Sequence, residues 1–251
     1  MYVHNLNPVL INLFGLQIRW YGLMYVLGIL IVYFFLNYHR KEIKMSKDDV
    51  SNFSFYLAVF MLLGGRLGYV IFYGLMNYLR NPLDILKVWQ GGMSFHGSFL
   101  MATLFVYFYS KKHKINFLKF ADYVILPIPI TLMLGRIGNF INGELIGRVC
   151  NCSYGIVYPP ESISRYPSQL FEALKNLFLF SVLFAGFKKL KEGSIFFGFI
   201  LGYGILRIIV EFFRVPEIVF FNVTMGQLLS IPMIIVGALG LVLIHVRRFH
   251  K

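Results

Sequence analysis

Gly135-Arg136-Ile137-Gly138-Asn139-Phe140-Ile141-Asn142-Gly143-Glu144-Leu145-Ile146-Gly147-Arg148 follows directly on an apolar run from Tyr123 to Leu134. An ionisable group at the edge of a hydrocarbon layer is costly and usually functional, so Arg136 calls for an anionic partner. The glycines let backbone approach a ligand or a neighbouring helix. Further charges lie inside apolar runs: Arg66, Lys175 and Arg207, with Asp122, Glu172 and Glu211. Pairing accounts for part of this set. Arg207 and Glu211 stand at i, i+4, Lys175 and Glu172 at i, i+3, and Arg66 can reach Asp122 or a cytoplasmic headgroup. Arg136 has no acid within a helical turn. Arg136 and Arg207 each fall in the outer third of a span, at the depth of a lipid phosphate, where two guanidiniums would form a bidentate clamp.

His96, in Gly91-Gly92-Met93-Ser94-Phe95-His96-Gly97-Ser98, stands at the mouth of another apolar run. A lone histidine is more often a structural hydrogen-bonder, but imidazole suits general-base work near neutrality, and the flanking glycines should leave the ring accessible. Tyr203, Arg207, Glu211 and Arg214 follow at spacings of four, four and three. Such a stripe faces protein or water, not lipid. Trp20-Tyr21-Gly22 opens the first apolar run, a position that an interfacial aromatic belt alone explains for Trp20. Arg165-Tyr166-Pro167-Ser168-Gln169-Leu170-Phe171-Glu172 opens another, with Ser168 placed to cap a helix.

These blocks are set in a strongly apolar chain. Of 251 residues 58% are hydrophobic and 14% charged, well below the roughly 25% charged of soluble domains, so the class is all-α polytopic membrane protein. Runs long enough to cross a bilayer fall near Trp20–Tyr38, Phe53–Tyr73, Phe95–Ser110, Phe120–Gly138, Gln169–Phe187, Ser194–Phe213 and Met225–Val246. The third is short; about seven spans fit best. Pro127 and Pro129 should kink the fourth. Gly22/Gly28, Gly64/Gly65/Gly68 and Gly198/Gly202/Gly204 read chiefly as close helix contacts.

Fourteen basic residues lie in alternate segments: Arg40, Lys41, Lys44, Lys47; Lys111, Lys112, Lys114, Lys119; Lys188, Lys189, Lys191; and Arg247, Arg248, Lys251. The opposite segments hold six: Arg19, Arg80, Lys87, Arg148, Arg165 and Arg214. The positive-inside rule puts the N-terminus outside and the C-terminus in the cytoplasm. The net charge of +13 is therefore a topology signal and a contact with membrane lipids, not a nucleic-acid footprint. No cleavable signal peptide is expected. Residues 1–251 read as one integral-membrane domain without repeats. Cys150 and Cys152 build no disulfide framework, and free thiols are expected there. No metal-ligand spacing and no cofactor motif is present.

Taken together, Trp20–Tyr25, Gly64–Tyr69, Gly91–Gly97, Gly135–Arg148, Arg165–Glu172, Tyr203–Arg214 and Met225–Pro232 resemble, in order and over nearly the whole chain, the phosphatidylglycerol–prolipoprotein diacylglyceryl transferases of bacterial inner membranes. The resemblance implies a seven-span inner-membrane enzyme whose site faces the outer leaflet. It would move the diacylglyceryl group of phosphatidylglycerol onto the lipobox cysteine of a prolipoprotein signal peptide, forming a thioether and releasing glycerol phosphate. By the same resemblance His96 and Arg207 are functionally important and Arg136 binds the phospholipid. Tyr21, Asn139, Glu144, Gly147 and Tyr203 match positions associated with the site. Glu211, Arg214 and Asn142 support them. Two positions depart from the family pattern: Tyr166 replaces a histidine before Pro-Ser-Gln, and Ser98 replaces a glycine after His96-Gly97.

The chemistry suits these residues. The thiol, with an ordinary pKa near 8.5, must be deprotonated and attack a glyceryl carbon while phosphate leaves. Arg136 and Arg207 would stabilise the leaving group; His96 is the first candidate base and Tyr203 the second. The alternatives are a non-catalytic phospholipid-binding scaffold, which leaves His96 idle, and a transporter, for which no repeat of broken helices is found.

Overall fold

A computed structural model of the chain describes residues 2–88, 91–216 and 218–246. The basic tail Arg247, Arg248 and Lys251 lies outside the described residues. The chain divides into two compact units, one of residues 33–123 and one of residues 1–32 with 124–251.

In the unit of residues 33–123, helix α2 (Lys47–Tyr73) opens on a capping box. Ser46 Oγ accepts from the Asp49 amide at 3.0 Å, and Asp49 returns a bond to the Ser46 amide at 3.1 Å. This satisfies two of the orphan donors of a helix start. The short α3 (Leu75–Arg80) and a 3₁₀ turn (Pro82–Leu86) follow. Helix α4 (Phe95–Lys112) then packs along α2 at the glycines anticipated as contacts. A Cβ at Gly68 would stand 2.6 Å from Gly97 Cα, and one at Gly64 2.6 Å from the Gly97 carbonyl oxygen.

Arg66 departs from expectation. It is buried, and its guanidinium is taken up by backbone carbonyls. Nε donates to the Ile85 carbonyl at 2.9 Å, Nη1 to Gly91 at 2.6 Å and Nη2 to Asp84 at 2.6 Å. A guanidinium has five donors in a fixed fork, and a tight loop has spare carbonyls. Arg66 therefore ties down residues 84–85 and Gly91, which precede α4 in the chain.

In the other unit, β2 (Val9–Leu13) and β3 (Leu16–Arg19) form a hairpin that runs straight into α1 (Trp20–Tyr38). The prolines act as expected: α5 (Phe117–Ile125), whose first seven residues close the unit of residues 33–123, stops before Pro127 and α6 (Ile128–Asn142) resumes after it. Helices α7 (Ser168–Gly186), α8 (Ser194–Glu211) and α9 (Met225–Val246) follow, with α6 against α7, α7 against α8 and α8 against α9. Strands appear only between helices or at the N-terminus. β1 (Tyr2–Val3) runs parallel to β4 (Ile156–Val157), which pairs with β5 (Ser164–Arg165); β6 (Val219–Phe220) and β7 (Val223–Thr224) form a hairpin before α9.

The all-α membrane class holds. Among the described residues six helical stretches are long and apolar enough to cross a bilayer, with α5 and α6 counted as one. α4 is not among them, since its 18 residues end in Lys111 and Lys112.

Three smaller expectations are corrected. Ser168 does not cap α7: it is the first helical residue, and its hydroxyl donates to the Leu145 carbonyl at 2.9 Å. Gly22 makes no close contact, since a Cβ there would meet nothing within 4 Å. Cys150 and Cys152 are joined in a disulfide, because the chain about Asn151 brings their Cα atoms to 5.4 Å, inside the usual bridging range.

The two glycine environments give opposite expectations. Gly64→Val should cost about 1–3 kcal/mol by overpacking α2 against α4, read as a lower thermal unfolding midpoint in detergent. Gly22→Ala should leave the midpoint unchanged.

Candidate active site

The charges of α6, α7 and α8 converge on one carboxylate. Glu172, on the second turn of α7, is 1% exposed. Arg136 Nε from α6 lies 2.9 Å from its Oε2, and Arg207 Nη1 from α8 lies 3.0 Å from its Oε1. Arg214 Nη1, three residues beyond α8, pairs with the same Oε1. Lys175 Nζ stands 3.9 Å from Oε2. Arg207 turns its other nitrogen to Glu211 Oε2 at 2.8 Å, the expected i, i+4 pair. Four cations thus share two carboxylates. The surplus of two positive charges in a largely dry setting is what an anionic ligand would neutralise.

Backbone geometry fixes this cluster. Arg214 has left the helix, but its backbone is held as a strand. It bridges to Gly147, and Arg148 donates to the Phe213 carbonyl at 2.9 Å through its amide and to the Arg214 carbonyl at 2.7 Å through Nε. On the far side Tyr166 N donates to the Arg148 carbonyl at 3.0 Å. Gly147 runs between these two segments, and a Cβ there would stand 2.8 Å from the Phe213 carbonyl oxygen. No side chain fits. Gly226, at the start of α9, plays a similar part: a Cβ would lie 2.9 Å from both Arg207 Nη2 and Glu211 Oε1.

A polar chain continues from Arg136 along the Asn139–Glu144 turn. Arg136 Nη1 donates to Asn139 Oδ1 at 3.5 Å, and Asn139 Nδ2 to Glu144 Oε2 at 3.3 Å. Asn142 Nδ2 donates to Glu144 Oε1 at 3.0 Å. The Glu144 carbonyl accepts from Gln169 Nε2 at 2.6 Å, and Gln169 Oε1 accepts from the Tyr158 hydroxyl at 3.2 Å. Burial raises the Tyr158 phenol above its usual value, so it remains a donor. His4 stacks on Tyr158 and bonds the Phe140 carbonyl through Nε2 at 2.7 Å. Tyr21 packs against Gly138 of α6 and shares a 3.1 Å hydrogen bond with Tyr25.

The structure therefore brings Arg136, Arg207, Glu211 and Arg214 into one network, with Asn139, Asn142 and Glu144 extending it and Tyr21 and Gly147 packed beside its parts. Tyr203 is buried on α8, its ring under the Lys175 ammonium at 4.0 Å. His96 belongs to the unit of residues 33–123, in the first turn of α4. Its Nε2 is buried, while the residue as a whole is half-buried. Sequence reasoning paired Glu172 with Lys175 alone and so missed its central role. Lys175 is 3.9 Å away, and the closer partners come from other helices. Gly226 was also missed as a spacer, although its block was singled out. Among the described residues no group of three or more His, Cys, Asp or Glu could hold a metal ion.

The model of the prolipoprotein diacylglyceryl transferase family matches residues 8–243. The chain belongs to that family. A phosphatidylglycerol–prolipoprotein diacylglyceryl transferase of Rickettsia rickettsii (strain Sheila Smith) is 44% identical over 249 residues, covering 93% of this chain and 95% of the relative. One of the same name from Geobacter sulfurreducens is 43% identical over 253 residues, covering 97% of each. The family resemblance drawn from the residue blocks is thereby established, and the scaffold and transporter alternatives fall away.

Neutralising Glu172 isosterically tests the shared counter-ion. Glu172→Gln leaves Arg136, Arg207 and Arg214 buried without their common anion and should cost about 3–5 kcal/mol. The check is the unfolding midpoint of the detergent-solubilised protein. Gly226→Val, which forces Arg207 and Glu211 apart, should keep the protein in the membrane but lower its catalytic rate.

Proposed function

We infer that the protein transfers the diacylglyceryl group of phosphatidylglycerol to the cysteine thiol of a prolipoprotein, the first step of lipoprotein maturation. Membership of the family carries this reading, and the cluster of four cations around two carboxylates gives it a physical basis. In the reaction the thiolate sulfur forms a bond to the glyceryl carbon. The carbon–oxygen bond to phosphate breaks, and its electron pair leaves with glycerol phosphate.

Arg136 and Arg207 are the residues we assign to the phosphate. Each already holds Glu172 through one edge of its guanidinium, so it is oriented before substrate binds. Preorganised donors of this kind stabilise developing charge without reorganisation. Arg214 supports them through the same carboxylate, and Glu211 fixes the outer edge of Arg207. Asn139, Asn142 and Glu144 hold the turn beside Arg136, with Gly147 and Tyr21 as packing neighbours. His96 is assigned as the base for the thiol proton on its chemistry, with Tyr203 second. The prolipoprotein is taken to present a lipobox cysteine at the end of its signal peptide.

The site is assigned to the outer leaflet of the bacterial inner membrane. Seven spans, with α4 counted, leave the N-terminus outside and the more basic segments in the cytoplasm. The Cys150–Cys152 disulfide supports that side, since disulfides persist in the periplasm rather than the cytosol. Residues 1–251 act as one membrane transferase.

The test is transfer by purified protein in proteoliposomes, with phosphatidylglycerol and a lipobox peptide. Mass spectrometry reads the diacylglyceryl thioether. Wild type should form product. Arg136→Ala and Arg207→Ala should each lower the rate about 10²–10³-fold, as loss of one charge-stabilising donor does, and His96→Ala about 10²–10⁴-fold, as loss of a general base does. Undiminished product from a folded variant removes that residue from the assignment.

A further inference from the structure

Lys175 has no place in the reaction as described so far. Its side chain is 5% exposed, its Nζ lies over the Tyr203 ring, and 3.9 Å separates it from Glu172 Oε2. Among the described residues that nitrogen has no hydrogen-bond acceptor. An ammonium carries three donors and is expensive to bury without acceptors. Glu172 cannot offset it, because that carboxylate already answers three guanidiniums. Without Lys175 the cluster holds three cations against Glu172 and Glu211, a surplus of one. With it the surplus is two.

The reaction changes the charge that the cluster must meet. Bound phosphatidylglycerol presents a phosphodiester with one negative charge. When the glyceryl carbon passes to sulfur, the thiol proton goes to the base and the carbon–oxygen pair stays on phosphate. The diester becomes a monoester, whose second ionisation near about pH 6 makes it largely a dianion at neutral pH. A surplus of one matches the substrate; a surplus of two matches the departing product. Only an interaction stronger late in the reaction than in the ground state raises the rate.

We propose that Lys175 is a charge-matching residue that tunes the arginine cluster to the dianionic leaving group rather than to the bound phospholipid. The proposal rests on the transferase reading above. Lys175 acts through the field at the cluster and through Glu172, so Arg136 and Arg207 remain the groups that touch phosphate. Two exposed charges of the adjoining turn and segment, Glu144 and Arg148, are opposite in sign and leave the surplus unchanged.

The experiment compares wild type, Lys175→Met and Lys175→Arg in proteoliposomes. It measures kcat, KM for phosphatidylglycerol, and inhibition by two soluble probes. Glycerol phosphate is the dianion; glycerophosphoglycerol, the deacylated headgroup, is the monoanion. Lys175→Met should lower kcat and weaken glycerol phosphate inhibition by at least about tenfold, the size expected from one nearby charge. KM and inhibition by glycerophosphoglycerol should change far less, and Lys175→Arg should restore kcat. Equal weakening of both probes, or an unchanged kcat, overturns the proposal while wild-type product keeps the transferase reading intact. If Lys175→Met does not fold, wild type decides alone: glycerol phosphate must bind more tightly than glycerophosphoglycerol, and equal binding overturns the proposal. Absence of product from folded wild type instead sinks the reading beneath it.

Discussion

A single buried carboxylate organises this protein's charged interior. Arg136, Arg207 and Arg214 come from three different stretches of chain, and each would be prohibitively placed in hydrocarbon by itself. Glu172 lets them coexist within hydrogen-bond range of one another's partner. Its cost of burial is offset because several cations share it, and theirs is offset in part by Glu172 and Glu211. Remove that one negative charge and the stretches that carry the arginines, α6, α8 and the segment just after α8, repel. The arginine cluster and the packing of α6, α7 and α8 therefore depend on the same interaction.

Backbone devices then make the arrangement rigid. Helix α8 ends before Arg214, and an extended segment from Gly147 to Val149 takes over, bound on one side to residues 213–214 and on the other to residues 165–166. Glycine at 147 and at 226 leaves the room that these approaches need. Sites positioned by extended backbone and by helix contacts hold their geometry better than sites on isolated loops. Arg66 does comparable work in the unit of residues 33–123, where one guanidinium gathers loop carbonyls that would otherwise compete for water.

Much of this was legible in the sequence because membrane chemistry makes charge conspicuous. The apolar runs gave the helices, Pro127 and Pro129 marked the break between α5 and α6, and the stripe from Tyr203 to Arg214 pointed inward. The i, i+4 pair of Arg207 and Glu211 followed from spacing alone. Partnerships across helices were not legible. Glu172 looked like the neighbour of Lys175 because local spacing is all that a sequence displays, whereas its closer partners are 35 and more residues away. Arg66 misled for a related reason, since its acceptors are carbonyls and every residue has one. The disulfide escaped because the bend around Asn151 depends on pairing with Ser164. The count of spans depended on α4, whose apolar content is diluted by lysines at its end.

The order in which the charged residues occur along the chain bears on how the protein is made. Arg136 is synthesised first and has no acid on its own helix, but α7 brings Glu172 as the next membrane-crossing segment. Helix α8 then arrives with Arg207 and Glu211 already able to neutralise each other one turn apart. Each newly inserted piece can thus shed its excess charge on what is already there or on itself. Arg214 comes last, after α8 has been threaded, and only its arrival closes the extended segment over Gly147. Helix α9, whose Gly226 packs on Arg207 and Glu211, is made after that, so a chain that ends at α7 still lacks two of the four cations and one of the two carboxylates.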